Sequence, residues 1–387
     1  MAISSSTIQA SDIEKIVVTA QRGDTVISDI AATMWVIDQE QLQSTLNTGA
    51  DLKNAIGRLV PSFDFGSEGR TNFAQNLRGR SALVMIDGVS LNSMREISRQ
   101  LDSIDPFNIA RIEVLSGATS IYGAGAAGGI INIITKKSTE SELSVEAKIS
   151  LASQFESGDD TNSSLALAIS GGNDVLKGRL SAAYSQTEGA FDADGNMILP
   201  DITQTGLQYN TRVDLMGNFQ VALNDSQQLS LSAQYYESEQ DAKYGTYLGP
   251  NLAGIFGRPE LIEVRKGLML EDQPSTERTM FTLQYKNEDF LGHTLLTQLF
   301  DRSEALSFFP FPAIYRVTGS PLPGSSFPLF GSSKQETDVQ GMQITLNKVF
   351  GDLSINYGVD WQDESFSADQ NIFDTMSALK SGGLQFD

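Results

Sequence analysis

Residues 353–362 read L-S-I-N-Y-G-V-D-W-Q, and this stretch decides the fold class of most of the chain. Leu353, Ile355, Tyr357, Val359 and Trp361 are apolar or aromatic, and polar or small residues stand between them. Successive side chains of a β-strand point to opposite faces, so this period of two predicts a strand with one apolar and one polar face. About ten residues are enough for a strand to cross a bilayer at a tilt.

The same alternation recurs from about residue 143 onward, and it predicts nine long strands in all. The other runs lie at about residues 145–151, 162–171, 176–184, 208–223, 229–235, 278–287, 293–304 and 336–349. Short turns alternate with long links, which lie at about residues 188–207, 238–277 and 305–335. Transmembrane β-barrels show this alternation, because their periplasmic turns are short and their outside loops are long.

We therefore predict a transmembrane antiparallel β-barrel for residues 138–387, with about nine strands present. A soluble β-sandwich or a β-solenoid adhesin is the alternative, although sandwich strands are usually shorter. Nine strands would leave two open edges, and barrels with a plugged lumen have about 22 strands. We expect an incomplete barrel whose C-terminal part lies beyond this sequence, and we do not expect the chain alone to transport anything.

The composition excludes several classes of protein. With 48 acidic and 27 basic residues the formal net charge is −21, which argues against nucleic-acid binding. The absence of cysteine excludes thiolate metal sites, and the only histidine, His293, is expected to be an ordinary strand residue. No apolar run is long enough for a membrane-spanning helix. Residues 1–10 lack the charged and apolar regions of an export signal, which we expect to be removed or not included.

The chain up to about residue 137 has a different pattern, which predicts a small α+β domain. Two short helices are predicted, each opened by an aspartate in a capping position, at residues 38–45 and 51–59. Asp87-Gly88 can supply the positive φ angles of a type I′ turn and predicts a hairpin over residues 82–91. Two β-branched runs predict further strands, at residues 111–115 and 130–135.

Several stretches of this first domain resemble, in the same order, the plug domain of TonB-dependent receptors. They are E-K-I-V-V-T-A at 14–20, N-L-R-G-R at 76–80, V-M-I-D-G-V at 84–89, I-D-P at 104–106, R-I-E-V-L at 111–115, and a glycine-rich run into G-G-I-I-N-I-I-T-K at 122–136. The resemblance implies an N-terminal tail at residues 1–22 and a plug at residues 23–137 that fills the barrel lumen. Residues 70–72, 85–94 and 103–109 look most like receptors for citrate-hydroxamate siderophores such as aerobactin.

The resemblance also implies a TonB-binding segment, the TonB box, in the tail. Its members are Glu14, Lys15, Ile16, Val17, Val18, Thr19 and Ala20. This β-branched segment can add to the edge of a partner's sheet through main-chain hydrogen bonds. An ordinary edge strand is the alternative interpretation.

A second implied site is a lock between the plug and the barrel, formed by Arg78, Arg111 and Glu113. Charge-assisted pairs to barrel carboxylates would hold the plug firmly, whereas simple surface salt bridges would be worth less than about 1 kcal/mol. The chain departs from the family at Ser116, where most members have arginine. That departure puts in doubt an ion pair through this position.

Ligand binding is expected at the plug's outward apices and in the long links. The apex residues implied by the resemblance are Arg70, Arg80, Ser81, Arg95 and Arg99. A ferric citrate-hydroxamate chelate is anionic, and arginine offers its carboxylates a planar fork, although these arginines could simply solubilise the loops. Aromatic residues of the links could add contacts or form a girdle at the membrane boundary, which we favour for those near strand ends: Tyr244, Tyr247, Phe308, Phe309, Phe311 and Tyr315.

One motif points elsewhere and is rejected. Residues 123–128, G-A-G-A-A-G, fit the dinucleotide-binding pattern, which requires a helix opening inside it. Here the glycines run into the β-branched stretch at residues 130–134, which predicts a strand. We expect these glycines to let the backbone turn tightly against the barrel wall.

The predicted function is a TonB-dependent outer-membrane receptor for a ferric siderophore, which performs no covalent chemistry. The implied partners are TonB with ExbB–ExbD, the siderophore and outer-membrane lipid, and no cofactor is expected because iron enters only within the ligand. A receptor for another siderophore, haem or cobalamin is the nearest alternative. A soluble NAD-linked enzyme, a passive porin and a β-rich adhesin are alternatives of other classes.

We predict that Val18→Pro blocks uptake while leaving ligand binding intact. Proline removes a main-chain donor and fixes φ, so the segment could no longer pair fully with a partner strand. Ligand binding and uptake, measured separately on the same variant, test this prediction. Normal uptake would contradict it.

Overall fold

The computed structural model describes most of the chain, namely residues 17–18, 25–26, 33–64, 66, 75–93, 99–118, 125–138, 141–156, 158–200, 206–241, 243–250, 253–254, 257–267, 273–313, 316–317, 320–321, 329–351 and 353–374. Residues 33–138 form a small domain with a five-stranded sheet, which we call the plug. A nine-stranded antiparallel sheet, which begins at Ser144, curves around it, and we call this sheet the wall.

The plug follows a short pair of strands, β1 (Val17–Val18) and β2 (Thr25–Val26). Its elements in chain order are β3 (Thr33–Asp38), α1 (Gln39–Leu46), α2 (Leu52–Leu59), β4 (Phe63–Asp64), β5 (Asn76–Leu77), β6 (Ala82–Ile86), β7 (Val89–Ser90), β8 (Ile109–Ser116) and β9 (Gly129–Thr135). The main sheet has the order β3-β8-β9-β6-β7, in which only β6 and β9 are parallel. Strands β4 and β5 form a separate pair.

Local sequence signals explain the helices and the hairpin, and these predictions are confirmed. Asp38 and Asp51 cap α1 and α2, and Asp38 forms a capping box with Gln41. Asp87 and Gly88 both have positive φ, as a type I′ turn requires. No helix in the described ranges is long and apolar enough to span a membrane.

The wall confirms all nine predicted strands, and each pairs with its neighbours in chain order. They are β10 (Ser144–Ala152), β11 (Asn162–Gly172), β12 (Leu176–Thr187), β13 (Asn210–Asn224), β14 (Gln227–Gln240), β17 (Ser275–Phe290), β18 (His293–Ala313), β21 (Leu329–Phe350) and β22 (Leu353–Asp374). The links between them contain two small hairpins, β15 (Tyr244–Tyr247) with β16 (Glu263–Lys266) and β19 (Arg316–Val317) with β20 (Ser320–Pro321). Among the described residues β10 and β22 do not pair, so the sheet is open, as an incomplete barrel predicts.

The faces of the wall follow the period of two. In β12, Leu180 and Tyr184 point outward and are 51% and 45% exposed, whereas Arg179 and Ser181 point inward and are 4% and 8% exposed. The outer face is therefore apolar and the inner face polar. This arrangement suits strands that face hydrocarbon outside and protein inside.

The plug and the wall share one hydrophobic core. Plug residues such as Ile56, Leu77 and Ile133 cluster with four inward-facing wall residues, namely Met216, Met280, Phe300 and Val339. The plug's core is thus continuous with the wall's inner face. Burial of this apolar surface favours docking of the plug independently of the polar contacts.

Two glycines at the start of β9 allow the backbone to approach closely within the plug. A Cβ on Gly129, whose φ is +142°, would lie 2.1 Å from the Leu115 carbonyl oxygen, and one on Gly128 would lie 2.5 Å from that of Leu77. The expectation that the glycines of residues 123–128 turn against the barrel wall is therefore wrong for Gly128, because it packs against plug residues. The rejected dinucleotide motif indeed continues into a strand.

We predict that Gly129→Ala lowers the free energy of unfolding of the plug by about 2–4 kcal/mol, because it adds both a backbone clash and an unfavourable φ. Urea unfolding followed by the fluorescence of Trp35, which packs on the plug core, measures the change. Gly158→Ala is the control, because a Cβ there meets nothing within 4 Å. Equal stabilities of the two variants would contradict the prediction.

Candidate functional site

Part of the proposed TonB box lies in the described residues. Val17 and Val18 form β1 and pair antiparallel with β2, in the register Val17 to Val26 and Val18 to Thr25. The segment is extended there, as its β-branched sequence predicts. Glu14, Lys15, Ile16, Thr19 and Ala20 lie outside the described residues, and binding of TonB stays a prediction.

The predicted ligand-binding arginines divide into three cases. Arg70 and Arg95 lie outside the described residues. Arg80 and Ser81 are exposed at a tight turn, which is closed by reciprocal main-chain hydrogen bonds between Leu77 and Arg80 of 2.9 and 3.2 Å. Their exposure at an apex is compatible with ligand contact.

Arg99 is placed differently from the prediction. Its side chain is 4% exposed and donates to the Ser275 carbonyl oxygen and to Thr276 Oγ1, both at 2.8 Å. Its guanidinium lies 4.7 Å from the centre of the Phe308 ring. This residue joins the plug to the wall, so its position does not support the predicted ligand contact, and Phe308 faces the plug rather than a loop or a girdle.

The predicted lock residues lie on β8 and in the turn after β5. Arg111 forms an ion pair of 2.7 Å with Glu113, two residues away on β8, and Glu113 is fully buried. Arg78 is exposed in a turn with φ of 56°. Their pairing with barrel carboxylates therefore stays a prediction.

The structure instead shows cations of the wall bound to main-chain oxygens of the plug. Arg278 donates to the Ser103 carbonyl oxygen and hydroxyl. Arg302 donates to the carbonyl oxygens of Leu91 at 2.9 Å and Asn92 at 3.3 Å. Both guanidinium groups are fully buried, so these bonds compensate for the loss of water.

One wall carboxylate receives hydrogen bonds from the plug. Asp214, 1% exposed, accepts from the main-chain N–H of Asp105 at 2.6 Å and from Asn108 Nδ2 at 3.3 Å. Gln234 on the next strand donates to its other oxygen at 2.9 Å. Tyr236 of the same strand donates to the Asp102 carbonyl oxygen. The plug segment 102–108 is therefore bound by two adjacent wall strands.

Phe107 fixes the same segment to the wall through apolar contacts. Its ring packs in a pocket lined by small wall residues, Ala166, Ala168 and Ala183. Lys136 and Arg179 lie over the ring at 4.9 and 5.3 Å, and both pair with Glu146.

Two of the long links and the connection between β10 and β11 are joined by an ion-pair cluster. Lys243 Nζ lies 2.9 Å from both Asp159 Oδ1 and Glu188 Oε2, and Tyr244 donates to Asp159 Oδ2 at 3.1 Å. The Tyr244 ring lies 5.0 Å from that of Tyr209. Tyr244 thus packs within the links. Tyr247 also packs there, because the centre of its ring lies 3.6 Å from Arg265 Cζ. The described residues do not include the side chains of Phe309, Phe311 and Tyr315.

These hydrogen bonds shift the pKa values of the cluster in opposite directions. The bonds from Lys243 and Tyr244 lower the pKa of Asp159, and the bonds to Asp159 and Glu188 raise the pKa of Lys243. The stabilisation through Asp159 is present above its unfolded pKa and is lost as the pH falls through the lowered value. The stabilisation through Lys243 is present below the pKa that Lys243 has in the unfolded chain. It is lost as the pH rises through the raised pKa of the folded state.

The histidine and metal expectations can be compared with the described residues. His293 lies at a short turn, where its Nδ1 is 3.0 Å from the Leu291 carbonyl oxygen and its ring stands edge-on to Tyr357. No group of three or more His, Cys, Asp or Glu residues in the described ranges could hold a metal ion.

The sequence analysis missed the wall residues that bind the plug. One signal was available, because Thr276, Arg278, Met280 and Thr282 share the inward parity of β17, and a charged residue at such a position needs a partner inside the barrel. The period of two indicates the face but not the partner. The Arg278 contact spans 175 residues of sequence.

Comparisons with known proteins match this architecture. Residues 26–130 match the TonB-dependent Receptor Plug Domain. The chain is 44% identical over 377 residues to the ferric aerobactin receptor of Klebsiella pneumoniae and 43% identical over 378 residues to the rhizobactin receptor of Rhizobium meliloti (strain 1021). Each alignment covers 97% of this chain and 50% of the relative, so the chain spans about half the length of these curated relatives.

Two solved structures show the same fold at low sequence identity. The unliganded ferric citrate transporter FecA superposes with a TM-score of 0.67 and 17% identity, covering 94% of this chain and 52% of that one. The copper transporter OprC gives a TM-score of 0.61 and 16% identity, covering 89% and 48%. The plug domain and the relatives matched along nearly the whole chain show the family. The chain belongs to the TonB-dependent receptors.

Proposed function

We propose that the complete protein is an outer-membrane receptor that takes up a ferric siderophore of the citrate-hydroxamate class, such as aerobactin, using energy delivered through TonB. The observation that carries the proposal is the 44% identity to a ferric aerobactin receptor, which extends over 97% of this chain and so includes plug, wall and links. TonB would bind residues 14–20, with ExbB–ExbD supplying energy, and lipid would surround the apolar outer face. No covalent chemistry and no resident cofactor are proposed.

The chemistry of the apices supports an anionic ligand. The chain has a net charge of −21, yet arginines occur at the predicted apices, and the described one of these turns exposes Arg80. An arginine fork fits the carboxylates of a ferric citrate-hydroxamate chelate. A second candidate cargo is cobalamin, because a vitamin B12 transporter of Vibrio vulnificus (strain CMCP6) is 29% identical over 232 residues. Growth of cells carrying the complete gene on iron-limited medium with defined siderophores separates the cargoes.

The cluster around Lys243 supports a pre-organised ligand face. It joins the link after β10, the link after β12 and the link after β14. Three links held together can present one surface instead of three independent loops, which lowers the entropy cost of ligand binding.

We predict that replacing Arg70, Arg80, Arg95 and Arg99 by Ala together weakens chelate binding about tenfold or more and flattens its dependence on salt, because charge-assisted bonds are lost. Since Arg99 is bound to the wall, the triple variant that retains Arg99 should show most of the effect. Equilibrium binding at several ionic strengths measures both changes. Arg58→Ala, at an exposed arginine of α2, is the control, and an unchanged dissociation constant in the quadruple variant would remove these residues from the site.

We predict that Lys243→Gln loosens the links, because both ion pairs are lost, each worth at most about 1 kcal/mol at this exposure. Amide hydrogen exchange should become faster at Gly189, whose N–H donates to the Asp159 carbonyl oxygen. Arg258→Gln is the control, because its partner Glu260 lies in the same link. Equal exchange at Gly189 in both variants would contradict the prediction.

A further inference from the structure

We propose that Arg278 and Arg302 are positioning residues that seat the plug by binding its main-chain carbonyl oxygens, so that the seat does not depend on ion pairs between plug and wall. The proposal deepens the proposed function, since it concerns how the receptor stays closed between uptake events. It reverses the expected lock, in which arginines of the plug would bind carboxylates of the barrel.

Burial of the two arginines makes their contacts with the plug essential. Arg278 and Arg302 are 0% and 1% exposed, and they are the largest fully buried side chains among the described residues. A guanidinium cannot lose its charge within a protein, so its N–H groups must find acceptors once water is removed. The acceptors in the plug are Ser103, Leu91 and Asn92.

Carboxylates lie near Arg278 and Arg302 and contribute charge rather than hydrogen bonds. Glu304 lies opposite Arg278 in the register of β17 and β18. Asp214 also acts on Arg278 through its charge, and Glu364 acts on Arg302. In the described part of the chain the two guanidinium groups donate to Ser103, Leu91 and Asn92 of the plug and to the side-chain amide oxygen of Gln234 on the wall. The carboxylates therefore balance the charge, whereas the carbonyl oxygens make the bonds.

The hold is releasable because the guanidinium groups are not fully satisfied. The buried Nε atoms of both Arg278 and Arg302 have no hydrogen-bond partner among the described residues. Bonds from a cation to a neutral carbonyl are also weaker than a bidentate pair with a carboxylate. A moderate change in the plug backbone can therefore free both arginines.

The contacts depend on the conformation of one plug segment. Leu91, Asn92 and Ser103 flank residues 99–102, which include the 3-10 helix Gln100–Asp102, and Arg99 binds the wall in the opposite direction. Every acceptor in the plug except the Ser103 hydroxyl is a main-chain oxygen. If this segment changes conformation, its bonds to both wall arginines are lost together.

The test measures leakage through the complete receptor in planar bilayers, without siderophore and without TonB. Arg302→Gln and Arg278→Gln should raise the conductance about tenfold or more, because a buried contact loses its charged donor. Arg302→Lys should stay close to the native conductance, because an ammonium can still donate to the Leu91 carbonyl oxygen. Arg212→Gln is the matched control, since this half-buried wall arginine faces a plug carboxylate, Asp102, at 3.9 Å.

A second measurement needs no change in the arginines. The chain has no cysteine, so spin labels at Glu40→Cys on the plug and Asp225→Cys on the wall report the distance between the two. A seat made by buried bonds to neutral acceptors should keep a single narrow distance up to about 1 M salt, where exposed ion pairs are screened. This experiment remains decisive if the glutamine variants do not fold.

Two results would overturn the proposal. One is a leak in Arg212→Gln with none in Arg302→Gln, which would assign the seat to the Arg212–Asp102 ion pair. The other is a plug that leaves its position at high salt. Neither measurement involves siderophore uptake, so failure of this proposal would be distinct from failure of the proposed function.

Discussion

The large charged side chains buried on the inner face of the wall depend on the plug for hydrogen-bond partners. A buried guanidinium or carboxylate without partners would cost several kcal/mol. Arg278, Arg302 and Asp214 all avoid this cost through plug groups between residues 91 and 108. The polar inner face, which strands in a bilayer require, therefore determines where the plug must lie.

Docking combines this polar contact with a modest apolar one. Among the described residues four inward-facing wall side chains join the plug core, and Phe107 fills one small alanine-lined pocket. The outer apolar face contributes nothing to docking, because its side chains point away from the plug. The hydrogen bonds that hold the plug can be released when its backbone changes, whereas a larger shared hydrophobic core would resist separation.

Sequence patterns were sufficient for the local structure but not for the partners. The nine strands, the capped helices and the Asp87-Gly88 hairpin follow from signals within about ten residues, and all were confirmed. Arg99 was assigned to the ligand face, yet it binds Thr276 of the wall. Its role depends on a contact 177 residues away, and a single sequence contains no record of such pairings.

The I-D-P motif at residues 104–106 illustrates what this interface requires of the plug. The Asp105 side chain accepts from the Phe107 N–H at 2.9 Å, and Pro106 opens the 3-10 helix Pro106–Asn108. The Asp105 N–H is thereby directed at Asp214 of the wall, 2.6 Å away. The motif thus acts through the backbone conformation that it imposes. The wall binds main-chain groups at Asp102, Ser103 and Asp105 and the side chains of Ser103 and Asn108, so the conformation that the motif sets directs both kinds of group at the wall.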